Sequence, residues 1–223
     1  MESNTFGILS SADDGSIVNC IFNYVAIILN DFKGDKNENE NGLTNSLCKT
    51  LEFKKPSEYP FFFHHQNIEN DKINTSTDFA VFGTYAYVQQ NHYTSNQEAP
   101  ALIKFEAKRL TNKLPKNREK EYAIGEYKLW EIIRNSGGLE RFKNGRHGKD
   151  VVHAGIIGYV QSDSFTYWFD KVNNWINEEI ENPHDKSLCW DGGDLLTMIQ
   201  SENNLSEYFS KTKRYNKHEA SMG

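Results

Sequence analysis

Residues 101–110 read ALIKFEAKRL, in which Ile103, Phe105 and Ala107 alternate with Lys104, Glu106 and Lys108. A period of two is that of an extended strand, whose successive side chains leave opposite faces. The stretch predicts a central strand with one apolar face and one face carrying an acid between two lysines. Glu106 and Lys108 stand roughly 6–7 Å apart along such a strand. At that spacing the carboxylate can hold a hard cation while the ammonium orients a water beside it. The carbonyl of Ala107 offers a further oxygen ligand.

Upstream, TDFAVFG (77–83) reads as a neighbouring strand, with Phe79 and Val81 on one face and Asp78 and Ala80 on the other. Tyr59 to Gln66, aromatic and preceded by prolines, predicts the first strand. Thr84 to Pro100, with Tyr85, Tyr87 and Tyr93, is expected to finish the second strand before a polar loop. Two helices precede the strands. One is capped by Ser16 and runs to Asp31 through Ile17, Val18, Ile21, Val25, Ile28 and Leu29. The other begins near Glu38 or Glu40 and carries a seam of Leu43, Leu47 and Leu51. Glu40 lies three residues before Leu43 and so near that buried face.

Downstream, residues 118–134 show helical spacing through Tyr122, Gly125, Leu129 and Ile133, closed by a Gly137-Gly138 turn. VVHAGIIGYV (151–160) predicts a buried strand, in which His153 reads as a core histidine. Phe165 to Ile180 gives a helix with a core stripe of Trp168, Val172, Trp175 and Ile176. Leu195 to Ile199 and Leu205 to Phe209 are short elements, and 216–223 is a tail. Strands joined by short loops pair antiparallel, and a strand reached through a helix can pair parallel. The fold class is therefore α/β, with a mixed central sheet flanked by helices. At 223 residues the chain suits one domain: an N-terminal helix and acidic loop (1–37), a core (38–160), and C-terminal helical elements with a tail (161–223).

Composition narrows the partners. Cys20, Cys48 and Cys189 are odd in number and widely spaced, which fits a reducing, cytoplasmic setting without a disulfide framework or structural zinc. No stretch has the roughly 20 apolar residues of a membrane span. The net charge of -6 argues against nonspecific coating of nucleic acid. Yet residues 104–120 hold seven Lys or Arg against two Glu, and Arg141, Lys143, Arg146, His147 and Lys149 form a second basic cluster. Arg109, Lys113, Lys116, Arg118, Lys120, Arg141, Arg146 and His147 are the expected contacts to DNA, with RNA as the alternative. His64 and His65 point to opposite strand faces and cannot share a metal. Neither a phosphate loop nor a nucleophile elbow is present.

Asp78 and Glu106, with the Ala107 carbonyl, make an oxygen ligand set suited to Mg²⁺, or to Mn²⁺ in its place. Such a site serves phosphodiester hydrolysis, with Lys108 neutralising charge on the phosphate and Glu40 reaching a second ion or its water. The set of Asp78, then Glu106-Ala107-Lys108, with a helical acid before and a helix and strand after, resembles the PD-(D/E)xK superfamily of restriction-endonuclease-like nucleases. The resemblance spans residues 38–160 in element order and three or four residues in motif, with Thr77 where the family's motif has proline. It implies a restriction-endonuclease-like core. It also implies catalytic roles for Asp78, Glu106, Lys108 and Glu40 (or Glu38), and a place in restriction, defence, repair or mobile-element biology. Cutting both strands of a duplex implies a homodimer. A catalytically inactive binding or interaction module of the same fold, or a subunit of a larger complex, is the alternative.

Overall fold

The computed structural model describes residues 17–35, 37–70, 75–91, 99–125 and 137–214. Two helices, α1 (Ile17–Asp31) and α2 (Glu40–Lys54), lead into the antiparallel pair β1 (Phe61–Asn70) and β2 (Thr75–Gly83). A short helix α3 (Tyr85–Gln90) precedes β3 (Ile103–Leu110). Then come α4 (Gly138–Lys143), β4 (His153–Val160), the long helix α5 (Phe165–Glu181), and the strands β5 (Thr197–Glu202) and β6 (Leu205–Phe209). The main sheet runs β1-β2-β3-β4, with β2 and β3 antiparallel and β3 and β4 parallel. It is a mixed sheet flanked by helices, as the loop lengths predict.

Alternation along β3 divides the molecule. Ile103, Phe105 and Ala107 join Phe79 and Val81 of β2 and Phe61 and Phe63 of β1 in one core, covered by Ile21, Val25 and Ile28 of α1 and Leu47 and Leu51 of α2. Phe79 stacks on Phe105 with centroids 4.6 Å apart, and Tyr24 donates from its hydroxyl to the Leu51 carbonyl at 2.6 Å, tying α1 to α2. Leu110 leaves the other face and enters a second core with Trp168, Val172, Trp175 and Ile176 of α5, Leu188 and Trp190. The Asn39 side chain caps α2 by accepting from the Gly42 amide, and Ser164 caps α5 in the same way from Tyr167.

Several expectations need correction. The chain after Gly83 turns into α3 rather than prolonging β2, because only Val88 of that segment finds a buried seat. Residues 116–125 form a short 3-10 turn and irregular turns instead of the start of a helix; the rest of the expected helix, residues 126–134, lies outside the described residues. Gly137 caps and Gly138 begins α4, while the residues before them, 126–136, lie outside the described residues. A Cβ on Gly137 would stand 2.4 Å from the Ile124 backbone, so the glycine serves close chain packing. In β4 only Ile157 is buried, because the strand lies at the sheet's edge. Residues 197–209, whose types the sequence leaves open, form a separate hairpin of β5 and β6. Ser16, Tyr93 and the tail 216–223 lie outside the described residues. No helix among the described residues is long and apolar enough to cross a membrane.

One ionic tie joins α5 to α4. His184, just beyond α5, bonds through Nδ1 to Glu179, and its Nε2 lies 3.5 Å from Glu140 at the start of α4. Burial alone would lower the imidazole pKa, but the two carboxylates outweigh it and raise it to about 9. With an unfolded value near 6.5, the stabilisation is fully present below that pH and is lost as pH rises through about 9. After allowance for solvent screening at this partly exposed site, denaturant unfolding of wild type and His184→Gln should therefore differ by about 2 kcal/mol at pH 6.5 and converge by pH 10. A gap that stays constant over that range would disprove the assignment.

Candidate functional site

The polar face of β3 and the Asp78 face of β2 open at the end of the β2–β3 ladder. The Asp78 carboxylate accepts from the backbone amide of Ala107 at 2.6 Å, just past the last paired residues, Phe79 and Phe105. It thus satisfies a strand amide that the ladder leaves open. Glu40, in the first turn of α2, reaches the same strand. Its Oε1 accepts from the Lys108 ammonium at 2.8 Å and its Oε2 from the Arg109 amide at 3.3 Å. Glu38 stands in the bend before the helix, and its carbonyl accepts from Gln161. Glu40 is therefore the helical acid of the site.

The Lys108 ammonium lies within a ring of oxygens. Its Nζ is 2.7 Å from the Ala107 carbonyl, 2.8 Å from Glu40, 3.6 Å from Glu106 and 4.0 Å from Asp78. A single cation therefore faces three carboxylates and one carbonyl, all from residues the sequence singles out. Burial lowers the Lys108 pKa, but the charges of Glu40, Glu106 and Asp78 outweigh it, so the amine is held protonated above its ordinary value. Asp78 is pushed up to about 6, first by burial and then by the Glu106 charge, against the pull of Lys108 and the Ala107 amide.

Glu106 differs. Burial raises its pKa, yet the bond from His147 and the charges of Lys108, His147 and Arg141 prevail and hold it below the ordinary carboxylate range. His147 Nδ1 lies 2.5 Å from Oε1, and Arg141 Nη1 is 3.2 Å from Oε2. Sequence reading places Arg141 and His147 among the DNA contacts. The structure turns both inward, and His147 is only 2 % exposed, so it offers no surface to a polymer. The signal that could have found them is the G-R-H-G turn (145–148), whose two glycines permit the left-handed backbone that aims His147 inward.

The other basic residues divide. Lys113, Lys116 and Arg146 are exposed. Arg118 forks onto Glu121 at 2.8 and 3.0 Å, and Lys120 pairs with Glu178, so part of their charge is met within the chain. Arg109 is half-buried on β3, with its Nε enclosed and unbonded. His153 is partly buried at the start of β4, and burial lowers its pKa. His64 and His65 lie on opposite faces of β1, as period two requires. All three cysteines are free.

Among the described residues no group of three or more His, Cys, Asp or Glu side chains is gathered closely enough to hold a metal. The smaller set of Asp78, Glu106 and the Ala107 carbonyl nevertheless fits Mg²⁺, an ion held by one or two carboxylates with waters completing its shell. The fit rests on the cage itself: its donors are all oxygen, and they already surround one cation, the ammonium. Comparison of the chain with family models, with curated proteins and with solved structures found no match in any of the three.

Proposed function

We propose that this chain is a metal-dependent nuclease that hydrolyses phosphodiester bonds of DNA, with a site of PD-(D/E)xK type. The observation that carries the reading is the convergence of Glu40, Asp78, Glu106 and Lys108, from one helix and two strands, around a single cation position. The strand pattern, two antiparallel steps and then a parallel one reached through α4, supports the restriction-endonuclease-like core that the motif implies.

In this reading Asp78, Glu106 and the Ala107 carbonyl would hold Mg²⁺, which when bound would supply a polarised water and a counter-charge to the phosphate. Lys108 neutralises charge that grows on the phosphate oxygens and orients the attacking water. Glu40 accepts from the Lys108 ammonium, keeping it protonated and aimed into the site. Lys113, Lys116 and Arg146 present exposed charge to the phosphate backbone. Asp78 must be ionised to hold a cation, so metal binding and cleavage decline as pH falls through about 6.

A second reading is a binding module that keeps the fold without catalysis. It is favoured by one observation: both oxygens of Glu106 are engaged by side chains, and Lys108 fills the cage. The two separate in a cleavage assay on linear duplex, circular duplex, single-stranded DNA and RNA, with Mg²⁺, Mn²⁺ or EDTA. Metal-dependent cutting supports the nuclease and its preferred substrate names the class. Binding of the same substrates without cutting in either metal supports the module.

A further inference from the structure

Glu106 is 1 % exposed, yet it is gripped from outside its own strand. Arg141, in the last turn of α4, and His147, four residues beyond that helix, each take one of its oxygens. The local chain is built to deliver them. Gly145 and Gly148 both have left-handed backbones, at φ +69° and +60°, where a side chain is strained. They bracket Arg146-His147 and turn the chain so that the imidazole points in while Arg146 points out. The His147 amide donates to the Arg141 carbonyl at 3.0 Å, fixing the two residues to each other. Gly148 packs on Phe142, where a Cβ would stand 2.9 Å from the ring, and its carbonyl accepts from Arg214 at 2.6 Å.

We infer that His147 and Arg141 are positioning residues that fix the Glu106 carboxylate for metal binding. The inference rests on the nuclease reading. An ionised carboxylate only accepts hydrogen bonds, so His147 donates to Glu106 through Nδ1. Held at one oxygen by the imidazole and at the other by the guanidinium, Glu106 cannot rotate about its last bond to close on Lys108, which stands 3.6 Å away. Outer partners of this kind set the orientation of a ligand, and their loss typically costs about 10–100-fold in metal affinity or activity.

The test is direct titration of the full chain with Mn²⁺, read by electron paramagnetic resonance, for wild type, His147→Ala, His147→Asn and Arg141→Lys, with thermal melts alongside. Asparagine keeps a donor near the Nδ1 position. The expected result is Mn²⁺ binding weakened about 10–100-fold in His147→Ala, largely restored in His147→Asn, and weakened in Arg141→Lys, which keeps the charge but loses the planar guanidinium that reaches Glu106 Oε2. Should His147→Ala not fold, the asparagine and lysine variants carry the comparison. Folded variants that bind Mn²⁺ like wild type, with only their melting lowered, overturn the inference while leaving a cleaving wild type as a nuclease. A wild type that neither binds Mn²⁺ nor cleaves overturns both.

Discussion

Lys108→Met is expected to abolish cleavage while tightening Mn²⁺ binding. The first effect follows from losing the one ammonium in the cage that can neutralise the phosphate, a loss of about 10²–10³-fold in kcat by analogy with other single charge-stabilising donors. The second follows from the same geometry with the opposite sign. The ammonium sits 2.7 Å from the Ala107 carbonyl and 3.6 and 4.0 Å from the Glu106 and Asp78 carboxylates that would hold the ion, so it competes with that ion for the same oxygens. Methionine keeps the length of the side chain and removes the competitor. Two like charges a few ångströms apart near a protein surface repel by about 1–4 kcal/mol, so the gain should be about tenfold or more. Isothermal titration reads the affinity and a single-turnover assay reads the rate. Weaker binding in Lys108→Met would mean that the lysine helps to hold the metal and does not compete with it.

The largest expected effect on stability lies away from the cage. The Lys143 ammonium, at the end of α4, is fully buried against Asp194, at 2.9 and 2.8 Å from its two oxygens, and it also donates to the Lys213 carbonyl. The Trp190 ring lies 5.0 Å away. Asp194→Ala leaves this charge buried without a counter-ion, and breaking such a pair costs about 3–5 kcal/mol. For a chain of this size the melting temperature should drop by about 10 °C. The double variant Lys143→Met, Asp194→Leu should recover most of that loss, since a packed apolar pair often equals a buried ion pair. Urea unfolding of the three proteins checks it. A double variant no better than Asp194→Ala would show that the pair provides specific stabilisation beyond mutual charge compensation. The pair also anchors the segment that carries Arg214 to the Gly148 carbonyl, so its loss should loosen the turn that presents His147.

The parts of the fold that the sequence makes legible are those where side-chain period and burial coincide. The alternation of β3 and the four-residue seam of α2 are strong because each has one apolar face, and that is why Asp78, Glu106, Lys108 and Glu40 can be placed before any coordinates. Arg141 and His147 escape such reading. Their direction depends on two left-handed glycines and on packing against Phe142, and a basic cluster reads the same whether it faces solvent or a buried acid. The β5–β6 hairpin is obscure for a different reason: every residue of β5 is exposed, so no buried face imposes a period on its sequence. β4 misleads because an apolar run resembles a central strand, while its edge position leaves most of it half-covered.

The central claim is that the oxygen cage is a catalytic metal site, and Asp78→Asn tests it most directly. Asparagine keeps the oxygen that accepts from Ala107 but removes the charge. Because the folded pKa of about 6 lies above the unfolded value, ionised Asp78 costs stability at neutral pH, and that cost fades as pH falls toward 4. Its removal should stabilise the fold at pH 7 by on the order of 2 kcal/mol, after allowance for partial exposure. Measurement of Mg²⁺-dependent DNA cleavage at pH 7.5, with melting of the metal-free proteins in EDTA, should show a variant that melts higher and does not cut. Cleavage by Asp78→Asn at the wild-type rate would contradict the metal site and with it the proposed function.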